Sequence, residues 1–268
     1  MRDETRQGRY YQDAARQNMT ILVGGEKGGT GKSTLAINLA LLSLQAGQPT
    51  HLIDCDAQQT ALKFANRRAA GGLKPDLICT HLRGDQLQVP IGDLASHYSR
   101  VIIDCGGQDS VELRSAMITP AVGLLLIPIR PGYFDLETLV NMNRLVRTSR
   151  QYHPDLMAWC VINCASTHIA SSAATEAAQF IRDELEYINL CETVIHERVA
   201  FGYAAAKGQG VTEYEDEKKI RDKKATLELF DLYRELFSDG APVLDLPFST
   251  DSNLTSYILW NRHNADDY

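Results

Sequence analysis

Residues 24–34 read "GGEKGGTGKST", and their types and order suit phosphate chemistry. Glycines let the backbone turn its N–H groups toward an anion, and a following helix adds the positive end of its dipole. In such a loop Lys32 reaches the β- and γ-phosphates, the Ser33 hydroxyl ligates Mg²⁺, and Thr34 sits beside the α-phosphate. The standard phosphate-loop pattern, G-x-x-x-x-G-K-[ST], does not fit. Its last three positions fall on Gly31, Lys32 and Ser33, which puts the first glycine at Glu26. Starting from Gly25 instead puts Thr30 where the second glycine belongs. The loop is therefore read as "KGGTGKST", with a second lysine, Lys27, five residues before the first. One lysine suffices for one nucleotide, so Lys27 asks for a separate reason. Carboxylates that could serve the same chemistry close two apolar runs. "LIDCDAQQT" (52–60) carries Asp54 and Asp56, and "VIIDCGG" (101–107) ends in Asp104. A carboxylate at the carboxyl end of a buried strand beside a phosphate crevice reads as the Walker B aspartate, a magnesium-site residue.

These groups need a scaffold. Short β-branched runs at 19–25, 50–56, 100–107, 122–129, 158–164 and 192–197 alternate with helical patterns at about 32–46, 58–71, 109–118, 135–152, 172–187 and 216–237. Continuously apolar strands indicate a sheet covered on both faces. Their alternation with helices predicts an α/β fold, a doubly wound and mostly parallel sheet. Gly47 is expected to cap the first helix in the left-handed region. Residues 1–18 have no apolar stripe and read as an N-terminal arm, 19–237 as one domain that carries the phosphate loop, and 238–268 as a C-terminal tail without periodicity.

The chain has 268 residues and a net charge of −7, so nothing global draws it to nucleic acid or acidic lipid. Any contact with DNA must come from a local basic patch. Six cysteines sit in apolar runs with no CxxC pair, which favours reduced, buried thiols over a disulfide or metal framework. The polar first twenty residues do not read as a signal peptide, and no apolar run approaches the ~20 residues a membrane helix needs. The expected location is cytoplasmic.

"KGGTGKST" resembles the deviant Walker A of the ParA/MinD superfamily, with Lys27 at the position of its signature lysine. The resemblance covers 19–237. It implies ATP as the substrate and Mg²⁺ as cofactor, with Gly28, Gly29, Thr30, Gly31, Lys32, Ser33 and Thr34 around the phosphates. It also implies an ATP-bound, face-to-face homodimer in which Lys27 reaches the partner's nucleotide. A cation just before the cradle, on two glycines that let backbones approach, suits that task. "LIDCDAQQT" is similar to the family's "DxDPQ" segment, with Ala57 in place of proline. By that resemblance Asp56 orients the attacking water, and Asp54 supports Mg²⁺ through water. Gly106 and Gly107 resemble the segment that senses the γ-phosphate. "VIN" (161–163) resembles the adenine-side strand, which makes Asn163 a base contact. The block at 195–215, "IHERVAFGYAAAKGQGVTEYE", is similar to the late block of the ParA branch.

That branch implies a partition ATPase for a plasmid or chromosome. It would bind DNA without sequence preference when ATP-dimerised, associate with the nucleoid in that state, and be stimulated by a centromere-binding partner protein. The densest basic segment is "EDEKKIRDKKAT" (215–226), so Lys219 and Lys223, one helical turn apart, are candidate DNA contacts, with Arg198 and Lys207 beside them. An exposed helix whose charges pair locally explains that segment equally well. The tail carries one arginine and two closing aspartates, unlike a membrane-docking helix. The alternative reading is a metabolic or carrier P-loop NTPase of the same superfamily with no DNA role.

Overall fold

The computed structural model describes residues 19–107, 110–168, 171–217 and 221–237. The N-terminal arm, the tail and Lys219 lie outside the described residues.

β1 (Met19–Val23), β2 (Thr50–Asp54), β3 (Cys79–His81), β4 (Arg100–Asp104), β5 (Val122–Ile129), β6 (Met157–Ala165) and β7 (Asn189–His196) form one sheet in the order β3-β2-β4-β1-β5-β6-β7, and every pairing is parallel. Successive side chains of a strand point to opposite faces. Ile21 and Val23 accordingly enter one core while Leu22 enters the other, and Ile102 is likewise split from Val101 and Ile103. Both halves are fully enclosed, which is why these strands read as unbroken apolar runs. The first core is covered by α1 (Lys32–Gln45), α2 (Thr60–Ala70), α7 (Val199–Ala206) and α8 (Lys223–Leu236). The second is covered by α3 (Gln88–His97), α4 (Val111–Met117), α5 (Tyr133–Ser149) and α6 (Ala173–Glu184).

β1 and β4 are neighbours with Val23 opposite Asp104. β1 runs into α1 on one face and β4 into α4 on the other. Chains leaving adjacent strands in opposite directions open a crevice at their carboxyl ends, where ligands of doubly wound sheets bind. The glycine loop and all three aspartates lie there.

α1 ends as expected. Gly47 has φ 74, and the Gln48 N–H closes back onto the Ser43 carbonyl at 2.9 Å. Three elements have no counterpart in the sequence reading. β3 is a three-residue edge strand, α3 buries only Ile91 among its ten residues, and α7 is eight residues of small and apolar side chains. The last helix starts at Lys223 rather than 216, because Asp222 caps it by accepting the Ala225 N–H at 3.0 Å.

Candidate functional site

The loop's shape is set by contacts that exclude side chains. Gly31 has φ 87, and a Cβ there would lie 2.3 Å from Asn163 Nδ2. Both its backbone angle and its surroundings therefore demand glycine. Gly24 is equally enclosed, since a Cβ would meet Leu113 Cδ1 at 2.5 Å. Gly31 is also the N-cap of α1 and has no side chain to occupy the helix's first N–H groups. Those donors face the crevice, ready for an anion. Lys32 is buried and donates its ammonium to the Lys27 carbonyl at 2.6 Å. Burial lowers its pKa, while Asp104 and Asp56 pull it back up. Lys27 is half-buried, and its own ammonium group makes no hydrogen bond or ion pair among the described residues.

Three segments converge on this loop. Asp104 is 1% exposed, and neither carboxylate oxygen has a hydrogen-bond partner in good geometry. Burial raises its pKa to about 7, the neighbouring Ser33 side chain opposes that rise, and Asp54 and Asp56 add to it. A desolvated carboxylate with vacant lone pairs beside a hydroxyl is an expensive arrangement for a chain to hold by itself. Mg²⁺ takes oxygen donors from one or two side chains and completes its shell with water and phosphate. Ser33 and Asp104 fit that demand.

Asp54 is committed differently from the sequence expectation. It is fully buried, with one oxygen accepting the Asp56 N–H and the other the Leu62 N–H, both at 2.9 Å. Its bonds shape the turn that carries Asp56. Asp56 accepts the Gln58 N–H at 2.8 Å and leans on the segment after Asp104. A Cβ on Gly106 would lie 2.9 Å from Asp56 Oδ2, and one on Gly107 3.1 Å from the Gly28 nitrogen. Gly106 and Gly107 thus let the Asp56 segment and the lysine loop close on one point.

On the other side of Gly31 a cavity of about 170 Å³ is lined by Thr34, Asn163, Cys164, Glu197, Arg198 and Phe201 among others. Its place beside the α1 N-terminus suits a base and ribose. Asn163, expected to touch the base, lines this cavity and donates to the Thr30 carbonyl at 2.7 Å, which braces the loop. Arg130 was not foreseen. It donates to the Gly29 carbonyl at 3.2 Å and faces Glu197 at 3.8 Å. Its position at the end of β5, in "IRPG", was the available signal.

The expected DNA contacts separate. Arg198 is paired with Glu228, which also binds His196 Nδ1 at 2.9 Å, and its side chain is 14% exposed. That ion pair ties the start of α7 to α8 and leaves Arg198 few exposed atoms for an outside phosphate. Lys223 is exposed in the first turn of α8, and Lys207 is exposed with its ammonium 5.0 Å from the centre of the Tyr214 ring.

The model of the CobQ/CobB/MinD/ParA nucleotide-binding domain matches residues 21–211. The chain belongs to this family. Maintenance of carboxysome distribution protein A of Halothiobacillus neapolitanus is 24% identical over 203 residues, which span 74% of this chain and 88% of that one. Soj, the sporulation initiation inhibitor protein of Bacillus subtilis, is 23% identical over 261 residues, 82% and 98% of the two chains. Among solved structures, the ATP complex of a Cyanothece McdA variant superimposes with a TM-score of 0.62 at 15% identity, covering 84% of this chain and 98% of that one. MinD from Pyrococcus horikoshii with Mg-ADP gives 0.60 at 15% identity, covering 82% and 96%. These superpositions establish a shared ParA/MinD fold. Among the described residues no helix is long and apolar enough to cross a membrane.

Proposed function

We propose that this ParA/MinD-family protein is an ATP hydrolase of the ParA type that partitions a plasmid or chromosome. In this reading ATP brings two copies face to face, and the dimer binds DNA without sequence preference and associates with the nucleoid. A centromere-binding protein then stimulates hydrolysis. The observation that carries the reading is the meeting of two loop lysines, an orphaned Asp104 and the Asp56 turn at one crevice. The likeness to Soj and to the carboxysome distribution protein A supports it.

In the mechanism, the N–H groups of Gly28, Gly29, Thr30 and Gly31 cradle phosphate oxygens. Lys32 leaves the Lys27 carbonyl and pairs with the β- and γ-phosphates. Ser33 and Asp104 would hold Mg²⁺, which neutralises charge building on the phosphates when bound. Asp56 holds a water in line with the γ-phosphate, and Asp54 keeps the Asp56 turn in place. Lys27 crosses to the partner's nucleotide and stabilises transition-state charge there, as a cation supplied in trans does in related phosphoryl transfers. Asn163 and Arg130 keep the cradle in shape.

Sedimentation of the full chain with random-sequence duplex DNA, in ATP and in ADP, tests the proposal. Dimerisation and DNA binding in ATP only are expected. A nucleotide-independent monomer that ignores DNA would overturn it in favour of a metabolic or carrier NTPase.

A further inference from the structure

The acids of this chain are unevenly placed, and the gap in them has a shape. From Ala57 to Pro75 there is no aspartate or glutamate, and from Val199 to Thr212 there is none either. These two stretches hold α2 and α7. The fold packs them together. Arg67 Nη1 donates to the Ala205 carbonyl at 3.0 Å, and a Cβ on Gly208 would lie 3.0 Å from the Arg68 backbone. Between them and α1 lies a cleft of about 240 Å³ whose polar lining includes Asn38, Gln58, Lys63, Arg67 and Gln209 and no carboxylate.

Glu213, the acid that ends the second stretch, is closed off. Glu213 takes a bidentate bond from the buried Arg68, at 2.7 and 2.8 Å, and also accepts the Gly210 N–H. Lys63, Arg67 and Lys207 are exposed, and Lys63 and Arg67 lie one turn apart on α2. Lys63 uses one donor on the Gln58 carbonyl, and Arg67 uses one on Ala205, so both keep donors for an outside acceptor. The α8 start is a poorer anion surface, because Glu215, Asp216, Glu217 and Asp222 are interleaved with its cations.

We propose that the acid-free face of α2 and α7, with Lys63, Arg67 and Lys207 as its cations, binds the sugar-phosphate backbone of duplex DNA. The proposal rests on the DNA-binding reading above and says where that contact lies. It fits a polyanion read without sequence preference, because its cations and amide donors suit phosphate oxygens. It also gives the contact a route to the nucleotide. Lys63 is tied to Gln58, and the Gln58 N–H is held by Asp56, so a shift of the Asp56 turn moves the near edge of the face. Coupling of that kind is reciprocal, so DNA should tighten ATP binding by the same factor.

The test is polarisation of a fluorescent random-sequence duplex by the ATP-loaded full chain at several salt concentrations, with dimerisation followed in parallel. Lys63→Gln with Lys207→Gln should weaken binding at least tenfold and flatten the log–log salt dependence by about 0.9 for each phosphate that is no longer neutralised. Arg67→Gln should weaken it, and Arg67→Lys, which keeps the charge, should restore most of the affinity even if α2 packs less firmly. Lys223→Gln with Lys224→Gln should bind like the unaltered protein. The reverse pattern, with the α8 pair mattering and the α2/α7 pair not, would overturn this surface and leave the partition reading standing. An unaltered ATP dimer that binds no DNA would overturn both. Binding of phosphatidylglycerol vesicles but not duplex through Lys63 and Lys207 would also overturn the proposal.

Discussion

Lys32 rests its buried ammonium on the backbone carbonyl of Lys27, 2.6 Å away, so the loop's two lysines meet before any phosphate is present. In the proposed mechanism a nucleotide draws Lys32 off this carbonyl, while the Lys27 side chain has no competing hydrogen bond or ion pair within the described residues.

Changing Lys27 to alanine is expected to abolish ATP-dependent dimerisation while ADP affinity changes less than about threefold, a fraction of a kcal/mol. The lysine's carbonyl survives the change, so the resting place of Lys32 does too. Sedimentation velocity in ATP and ADP, with calorimetry for ADP, checks this. A Lys27→Ala protein that still dimerises with ATP would refute the role in trans.

Asp56→Ala is expected to bind ATP and hydrolyse it at least ~10²-fold more slowly, the usual scale for losing a group that positions or activates the attacking water. Gly106→Ala should act in the same direction, because its new methyl would lie 2.9 Å from Asp56 Oδ2 and displace the carboxylate. Single-turnover hydrolysis, with nucleotide affinity measured separately, distinguishes this from a binding defect. Loss of ATP binding in Asp56→Ala would make it a structural or metal residue.

Glu213→Ala leaves the Arg68 guanidinium, in a side chain 1% exposed, without its carboxylate. A buried pair broken from one side typically costs about 3–5 kcal/mol. Replacing both partners by Met and Leu should recover most of that loss. Denaturant midpoints of the single and double variants give the answer, and equal losses in both would show that the apolar pair cannot fill the site.

His51 adds a pH dependence. It is buried on β2, with Nε2 against Thr80 Oγ1 at 2.8 Å, and burial lowers its pKa from the ordinary 6.5. Below pH 6.5 the unfolded chain takes up a proton that the folded chain resists. The stability is therefore complete above 6.5 and is lost as pH falls from 6.5 through the lower folded value. Urea unfolding between pH 8 and 5 should show this slope, and His51→Gln should flatten it.

Much of the site was legible in order and type alone. "KGGTGKST" after an apolar run and before a helical one specifies an anion cradle, because glycines and a helix N-terminus act through local backbone geometry. The central strands were equally plain, since Ile21, Leu22 and Val23 each face a core and leave no polar position in the run. Local signals are strong where every residue of an element is buried. They fade for β3 and α3, which bury little and so carry no period to read.

Partnerships across the fold needed coordinates. Asp54 and Asp56 look alike in "DCD", but parallel pairing buries the first among backbone N–H groups and leaves the second at the crevice. Asn163 comes to brace Thr30 from 133 residues away, and Glu228 claims Arg198 from 30. The two acid-free stretches lie more than 120 residues apart along the chain and become one face only when Gly208 packs on α2. Residue type says what a side chain can bond to. Which of the available partners it meets depends on how parallel strands and their crossovers bring distant segments together, and no local pattern encodes that.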